Sequence, residues 1–272
     1  MPAFVFVSGY FHLKASEKFH NTLKILVIYV IFNQMMMMYS GYIQGIPFRI
    51  LEPYYSYWYL LALVVWRVVF RFISLHWWVL GLSIFLSLAS GYWRDIDNTL
   101  AISRIIGFAP FYILGIQASK INFDNFMKKY LRKEVSPINY GYAVLAFCIL
   151  TIISIVLVKN GSTYDDLIWL PYDNNMGFIN RAGIFITSIF MIAVLLKIIP
   201  DRKIPLLTEW GKQSLSIFVL HRFILFFSTF LLSFVFIENS FYLIPILMAS
   251  SFLVTLISGN RWMAGYFNQF FA

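Results

Sequence analysis

Apolar residues fall along this chain in long runs, with neither the alternation of a half-buried strand nor the one-sided stripe of a surface helix. Runs approaching the roughly twenty residues that a helix needs to cross a bilayer lie at about 20–39, 57–73, 76–91, 101–118, 139–158, 182–199, 213–236 and 241–258. A shorter one, MPAFVFVSGYF, opens the chain, and as a helix its residues rise only about 16 Å, roughly half of the hydrocarbon thickness. It does not read as a signal peptide, because no basic segment precedes it and it ends in Tyr10-Phe11-His12 without small residues for cleavage. The pattern predicts an all-α polytopic membrane protein, a helical bundle of about nine transmembrane segments with the first one partial. Aromatic residues cluster at the run edges, as in Tyr54-Tyr55-Ser56-Tyr57-Trp58-Tyr59, Trp77-Trp78, Tyr92-Trp93, Trp169 and Trp262, where interfacial anchors belong.

Composition sharpens the class. Hydrophobic residues make up 60% of the chain and charged ones 12%, against about 25% charged in soluble domains. Polar connections reach only about twenty residues, so one integral domain, 1–272, accounts for the sequence. The net charge of +9 would suggest nucleic acid in a soluble protein, but here the placement of the charges carries the information and no nucleic-acid partner is expected. Cys148 stands alone in an apolar run and reads as a packed core thiol, and no metal-ligand spacing is present. The run Met35-Met36-Met37-Met38 reads as adaptable helix packing.

The basic residues predict an orientation. One set of alternate connections holds Lys14, Lys18, Lys24, Arg67, Arg71, Lys120, Lys128, Lys129, Arg132, Lys133, Lys197, Arg202, Lys203, Lys212 and Arg261. The other holds only Arg49, Arg94, Arg104, Lys159 and Arg181, and Arg222 falls inside a run. The bias places the first set in the cytoplasm, so the C-terminus is expected there, with Met1 on the outer side of a plasma membrane. An outer start is odd for a chain without a preceding span.

Ionisable groups at membrane depth are costly and so are the first candidates for chemistry. Arg67 and Arg71, one helical turn apart, share a face of the run 57–73, Arg104 opens the run 101–118, and His221-Arg222 lies inside 213–236. Arg71 and Arg104 can also snorkel to the headgroups. Buried arginine forks bind phosphate or carboxylate, and histidine exchanges protons near neutral pH, so together they suit an anionic ligand. His12, His20 and His76 fall at interfaces, where a solvated or headgroup-facing imidazole is expected. The outer connection KNGSTYDDLIWLPYDNNMGFINR sets Asp165, Asp166, Asp173, Asn174 and Asn175 beside Trp169 and Tyr172, a mixture that suits either a sugar or a solvated loop. No Gly-rich phosphate loop, HExxH or nucleophile elbow competes.

Four segments give the chain a family likeness. MPAFVFVSGYF, with Ser8-Gly9-Tyr10; YWYLLALVVWR, with Trp58, Leu60, Leu63, Trp66 and Arg67; SRIIGFAPFYILG, with Arg104, Phe108, Pro110, Phe111 and Gly115; and GKQSLSIFVLH, with Gly211, Ser214, Leu215 and His221, occur in that order. The sequence resembles the acyltransferase-3 family of integral membrane acyltransferases, in its branch similar to fucose 4-O-acetylases. The resemblance implies about ten transmembrane helices. It also implies transfer of an acetyl group from acetyl-CoA, a donor substrate with no bound cofactor, to a hydroxyl of a cell-surface polysaccharide or lipid-linked glycan. It implies substrate-binding roles for Ser8, Gly9, Trp58, Arg67, Arg71, Arg104 and Ser214, and a supporting role for His221. The family's catalytic histidine sits just before the segment matched by Met1-Pro2, so the resemblance also implies a first helix, with its Arg and His, upstream of Met1. A chain lacking that helix is expected to be impaired in catalysis. The competing expectation is a polytopic transporter or flippase for a glycan-related or anionic substrate, because intramembrane Arg and His also line transport pathways.

Overall fold

The structure, a computed structural model, describes residues 1–13, 19–45, 52–93, 100–121, 141–142, 145–152, 171–172, 177–198, 204–222, 252–260, 262 and 265. Every regular element among them is helical: α1 (Pro2–Tyr10), α2 (Phe19–Gln44), α3 (Trp58–Phe72), α4 (Trp77–Ala89), α5 (Ile102–Lys120), α6 (Gly177–Ile198) and α7 (Pro205–Lys212), with short 3-10 turns at Tyr55–Tyr57 and Ser90–Tyr92. The helical class is as expected. Three helices are long and apolar enough to cross a membrane, Phe19–Tyr42, Ile102–Lys120 and Gly177–Ile198, and Trp77–Tyr92 is a shorter apolar helix. α3 and α4, at 15 and 13 residues, stop short because the backbone turns extended at Ile73 and His76. The expected runs 139–158, 213–236 and 241–258 lie only in part within the described residues.

The chain divides into two compact units, Met1–Asn33 with Gly45–Pro200, and Gln34–Gln44 with Asp201–Ala272. α5 forms the core of the first. Most of its length is buried, from Ser103 through Phe108, Phe111 and Tyr112 to Ala118, and a helix covered on nearly all sides must be apolar or small all round. Its tightest neighbour is α1. A Cβ on Gly9 would lie 2.0 Å from the Tyr112 carbonyl oxygen, and one on Gly115 would lie 2.1 Å from that of Phe6, so these backbones touch where only glycine fits. Pro2, at the start of α1, has the fixed φ that suits a first helical turn.

Pro110 interrupts the hydrogen-bond ladder of α5, since it has no N–H and its ring crowds the preceding turn. The carbonyl that loses its donor is that of Ile106, and the carbonyls on either side of it accept from neighbouring helices. Trp66 Nε1 donates to the Ile105 carbonyl at 3.1 Å, and Ser87 Oγ donates to that of Gly107 at 2.7 Å. At the far end of α5, Gln117 Nε2 and Lys120 Nζ both donate to the Leu75 carbonyl, at 2.9 and 3.2 Å, fastening the α3–α4 turn. Fully buried Asn33 similarly ties α2 to the segment before α3: its Oδ1 accepts from the Tyr54 N–H at 2.6 Å and its Nδ2 donates to the Glu52 carbonyl at 3.3 Å.

Several sequence expectations change. The Tyr54–Tyr59 stretch is not a row of interfacial anchors, because Tyr54, Tyr57, Trp58 and Tyr59 are buried while Tyr55 is exposed. Trp77, Trp78, Tyr92 and Trp262 do remain exposed. Cys148 is exposed rather than packed in the core, since its face of residues 145–152 points outward. The methionine run splits by helical periodicity, with Met36 and Met37 buried and Met35 and Met38 exposed.

Candidate functional site

The first unit holds two polar clusters. One gathers around Arg67 where α1, α3 and α5 meet. Ser8 faces α3: its Oγ donates to the Phe4 carbonyl at 3.0 Å, which commits its single proton, so the Tyr59 hydroxyl is the donor in the 2.5 Å contact between them. One turn further along, just beyond α1, His12 is 2% exposed, and its Nδ1 lies 2.9 Å from the Tyr112 hydroxyl. The rings of Trp66 and Phe70 pack on Tyr112 at centroid distances of 5.0 and 5.9 Å, fixing the phenol from α3. Arg67 is partly buried within hydrogen-bonding reach of that same hydroxyl, and its charge also acts on Tyr59 and His12. Its Nε is buried and meets no acceptor among the described residues.

Burial first, and the positive charges of Arg67 and Lys120 second, push the His12 imidazole down from 6.5 to about 4. It is therefore neutral near physiological pH, buried against the Tyr112 hydroxyl. No carboxylate offsets these cations among the described residues, where the acids are Glu52, beside Asn33, and Glu209, paired with Lys212 at 3.5 Å. The hydroxyls of this cluster are engaged with one another and with His12, so its capacity for an acidic partner lies in the guanidinium of Arg67.

The second cluster surrounds Arg181. It was expected in an outer connection, yet α6 begins at Gly177 and carries it inward, fully buried. Its guanidinium carbon sits 4.2 Å from the centroid of the Tyr172 ring, and Nη1 reaches the Ser87 carbonyl and Ser90 Oγ, each at 3.5 Å. Tyr172 is locked in turn: its hydroxyl donates to the Leu88 carbonyl at 2.7 Å, and its N–H to that of Gly91 at 2.7 Å. A Cβ on Gly91 or Gly177 would lie 2.4 or 2.3 Å from the ring, so both glycines make room for it. Tyr172 is thus a packing residue at 5% exposure, not an open platform for a sugar. The other loop residues of that expectation, Asp165, Asp166, Trp169, Asp173, Asn174 and Asn175, lie outside the described residues.

The expected site residues separate. Ser8 and Arg67 come together in the first cluster. Gly9 lies in the same region but serves the backbone crossing with α5. Trp58 is buried against Phe108 at 5.1 Å, in the core. Arg71 is exposed at the end of α3, and Arg104 lies in the first turn of α5. Ser214 and His221 belong to the second unit, where Ser214 is exposed and His221 Nδ1 bonds the Ile217 carbonyl one turn back at 3.1 Å. His12 is the residue that sequence reasoning misplaced. It is buried, not solvated, because Gly9 and Gly115 draw the end of α1 onto α5; His20 and His76 are exposed as expected. The signal available in sequence was the Ser8–His12 spacing of one turn, which puts both on one face.

No protein-family model, curated protein or solved structure matches the chain.

Proposed function

We propose that the chain is a membrane O-acyltransferase that moves an acetyl group from acetyl-CoA to a hydroxyl of a cell-surface or exported glycan. The observation that carries this reading is the convergence of three of the four family-like segments. MPAFVFVSGYF, YWYLLALVVWR and SRIIGFAPFYILG lie on α1, α3 and α5, which pack together around Arg67, Ser8, Tyr59, Tyr112 and His12. A partly buried guanidinium whose Nε meets no acceptor among the described residues suits the phosphate-rich donor better than a neutral solute. The donor's charged end would lie against Arg67, with Arg71 at the mouth. Acceptor activation calls for a general base, and an imidazole suits that task.

In this reading the chain has about nine spans, with the basic connections and the C-terminus in the cytoplasm. Cysteine labelling of intact cells should reach Ser162→Cys and spare Ser136→Cys, and labelling of Ser136→Cys from outside would overturn the orientation. For the chemistry, disruption of the gene should remove acetyl esters from surface glycan, as read by mass spectrometry. The purified chain should bind labelled acetyl-CoA saturably, and Arg67→Ala should weaken that binding roughly 10- to 100-fold, the worth of a charge-assisted contact. Unchanged glycan acetylation, with flux of an anionic solute lost instead, would favour the transporter.

A further inference from the structure

Two neighbouring helices of the first unit present apolar faces of very different length. α6 runs 22 residues, about 32 Å, which matches the roughly 30 Å of a bilayer's hydrocarbon, and Ile179, Ile186 and Phe190 are exposed along it. α4, which packs against it, runs 13 residues and continues through the 3 of the Ser90–Tyr92 turn, about 24 Å in all. Trp77 and Trp78 are exposed at its start, Tyr92 and Trp93 at its end, and Leu82 and Phe85 between them. We propose that this face of α4 is bordered by a bilayer thinner than the one alongside α6, and that it gathers lipids with short acyl chains.

Chemistry fixes both ends of the face. Tryptophan and tyrosine rings settle at the level of the headgroups, so the exposed pairs mark where the hydrocarbon must stop. Exposed His76 precedes the first pair and Arg94-Asp95 follows the second in sequence, so the strip cannot borrow apolar length from its flanks. Trp78, Leu82 and Phe85 recur at i, i+4 and i+7 and share the outward side, whereas Val79, Leu80, Ser83 and Ser87 are buried. Tilting gives no relief, because a tilted helix projects a shorter length onto the membrane normal. The shortfall of about 6 Å therefore has to be met by the lipid, through compression or through selection of shorter chains.

The inference uses only the membrane class of the chain and holds for an acyltransferase or a transporter alike. Cys148→Ser removes the single cysteine, so one fluorescent label can be placed on α4 through Phe85→Cys, or on α6 through Ile186→Cys. The full chain is reconstituted in a mixture of two phosphatidylcholines with monounsaturated chains of about 14 and about 18 carbons, with one or the other brominated at mid-chain as the quencher. At equal mole fraction, the short brominated lipid should quench the α4 label more than the long one does, an enrichment of about twofold or more. The α6 label should be quenched at least as well by the long lipid.

Lengthening the strip tests the cause. Arg94→Leu combined with Asp95→Leu moves the first charge on that flank to Asp97, so the preference of the α4 label for the short lipid should shrink. Leu82→Cys, exposed on the same side, supplies a second label position if Phe85→Cys does not fold. Equal chain-length preference at α4 and α6, preference for the long lipid at α4, or an unchanged preference in the lengthened variant would overturn the proposal. So would an α4 label that neither lipid quenches while energy transfer between separately labelled copies is strong, because a second copy of the chain would then occupy the face. None of these results depends on acetyl transfer, which the glycan measurement tests separately.

Discussion

Arg67 and Arg181 are both arginines in the first unit's helices, and their surroundings differ in kind. Arg181 is fully enclosed: an aromatic face covers its guanidinium, a carbonyl and a hydroxyl lie within reach, and two glycines shape the space for that aromatic ring. Arg67 is only partly buried, within reach of the Tyr112 hydroxyl and with no aromatic face over it among the described residues. A guanidinium enclosed by fixed acceptors serves the fold, whereas one left partly exposed keeps donor capacity for an acidic partner. The two arginines are thus told apart by what surrounds them as well as by how deeply they sit.

The hardest test of this contrast strikes the helix crossing beside Arg67. Gly115→Leu forces a side chain into the Phe6 backbone and should cost about 3 kcal/mol or more, abolishing the folded peak in size-exclusion profiles. Next, Arg181→Ala should lower stability by about 3 kcal/mol, because it leaves the acceptors and the ring that enclosed the cation without their partner, while Arg67→Ala should leave thermal unfolding nearly unchanged and weaken acetyl-CoA binding. Equal losses of stability in the two variants would erase the distinction. A smaller effect is expected for Tyr172→Phe, which deletes only the hydroxyl bond to Leu88 and should cost about 1 kcal/mol in denaturant unfolding.

The mildest test uses acidity. Because the native His12 is held at about 4 and the unfolded one titrates near 6.5, the unfolded chain binds more protons between those values. Stability should therefore fall as pH drops from 6.5 toward 4 and be insensitive to this group above that window. His12→Gln should flatten the profile.

What sequence revealed and what it hid divide along physical lines. The helical class and the place of α5 were legible because long apolar runs permit little else. Ser8 and Arg67 were legible as candidates because polar groups within such runs are costly. His12 was misplaced because its position in sequence, at the end of a short run, says nothing about the glycine contact that carries it under α5. Arg181 was assigned to a connection for a related reason: the polar Asn180-Arg181 pair interrupts the apolar run, yet the helix begins before it at Gly177 and buries the charge against residues some ninety positions earlier. Tertiary partners at such separations leave no trace in local periodicity.

The donors that reach α5 beside Pro110 also bear on the order of assembly. Trp66 and Ser87 both precede α5 in the chain, so each leaves the ribosome before the helix it holds. When α5 emerges, the side chains that bond its Ile105 and Gly107 carbonyls have already been synthesised on α3 and α4, and the direction of synthesis becomes part of how the first unit is put together.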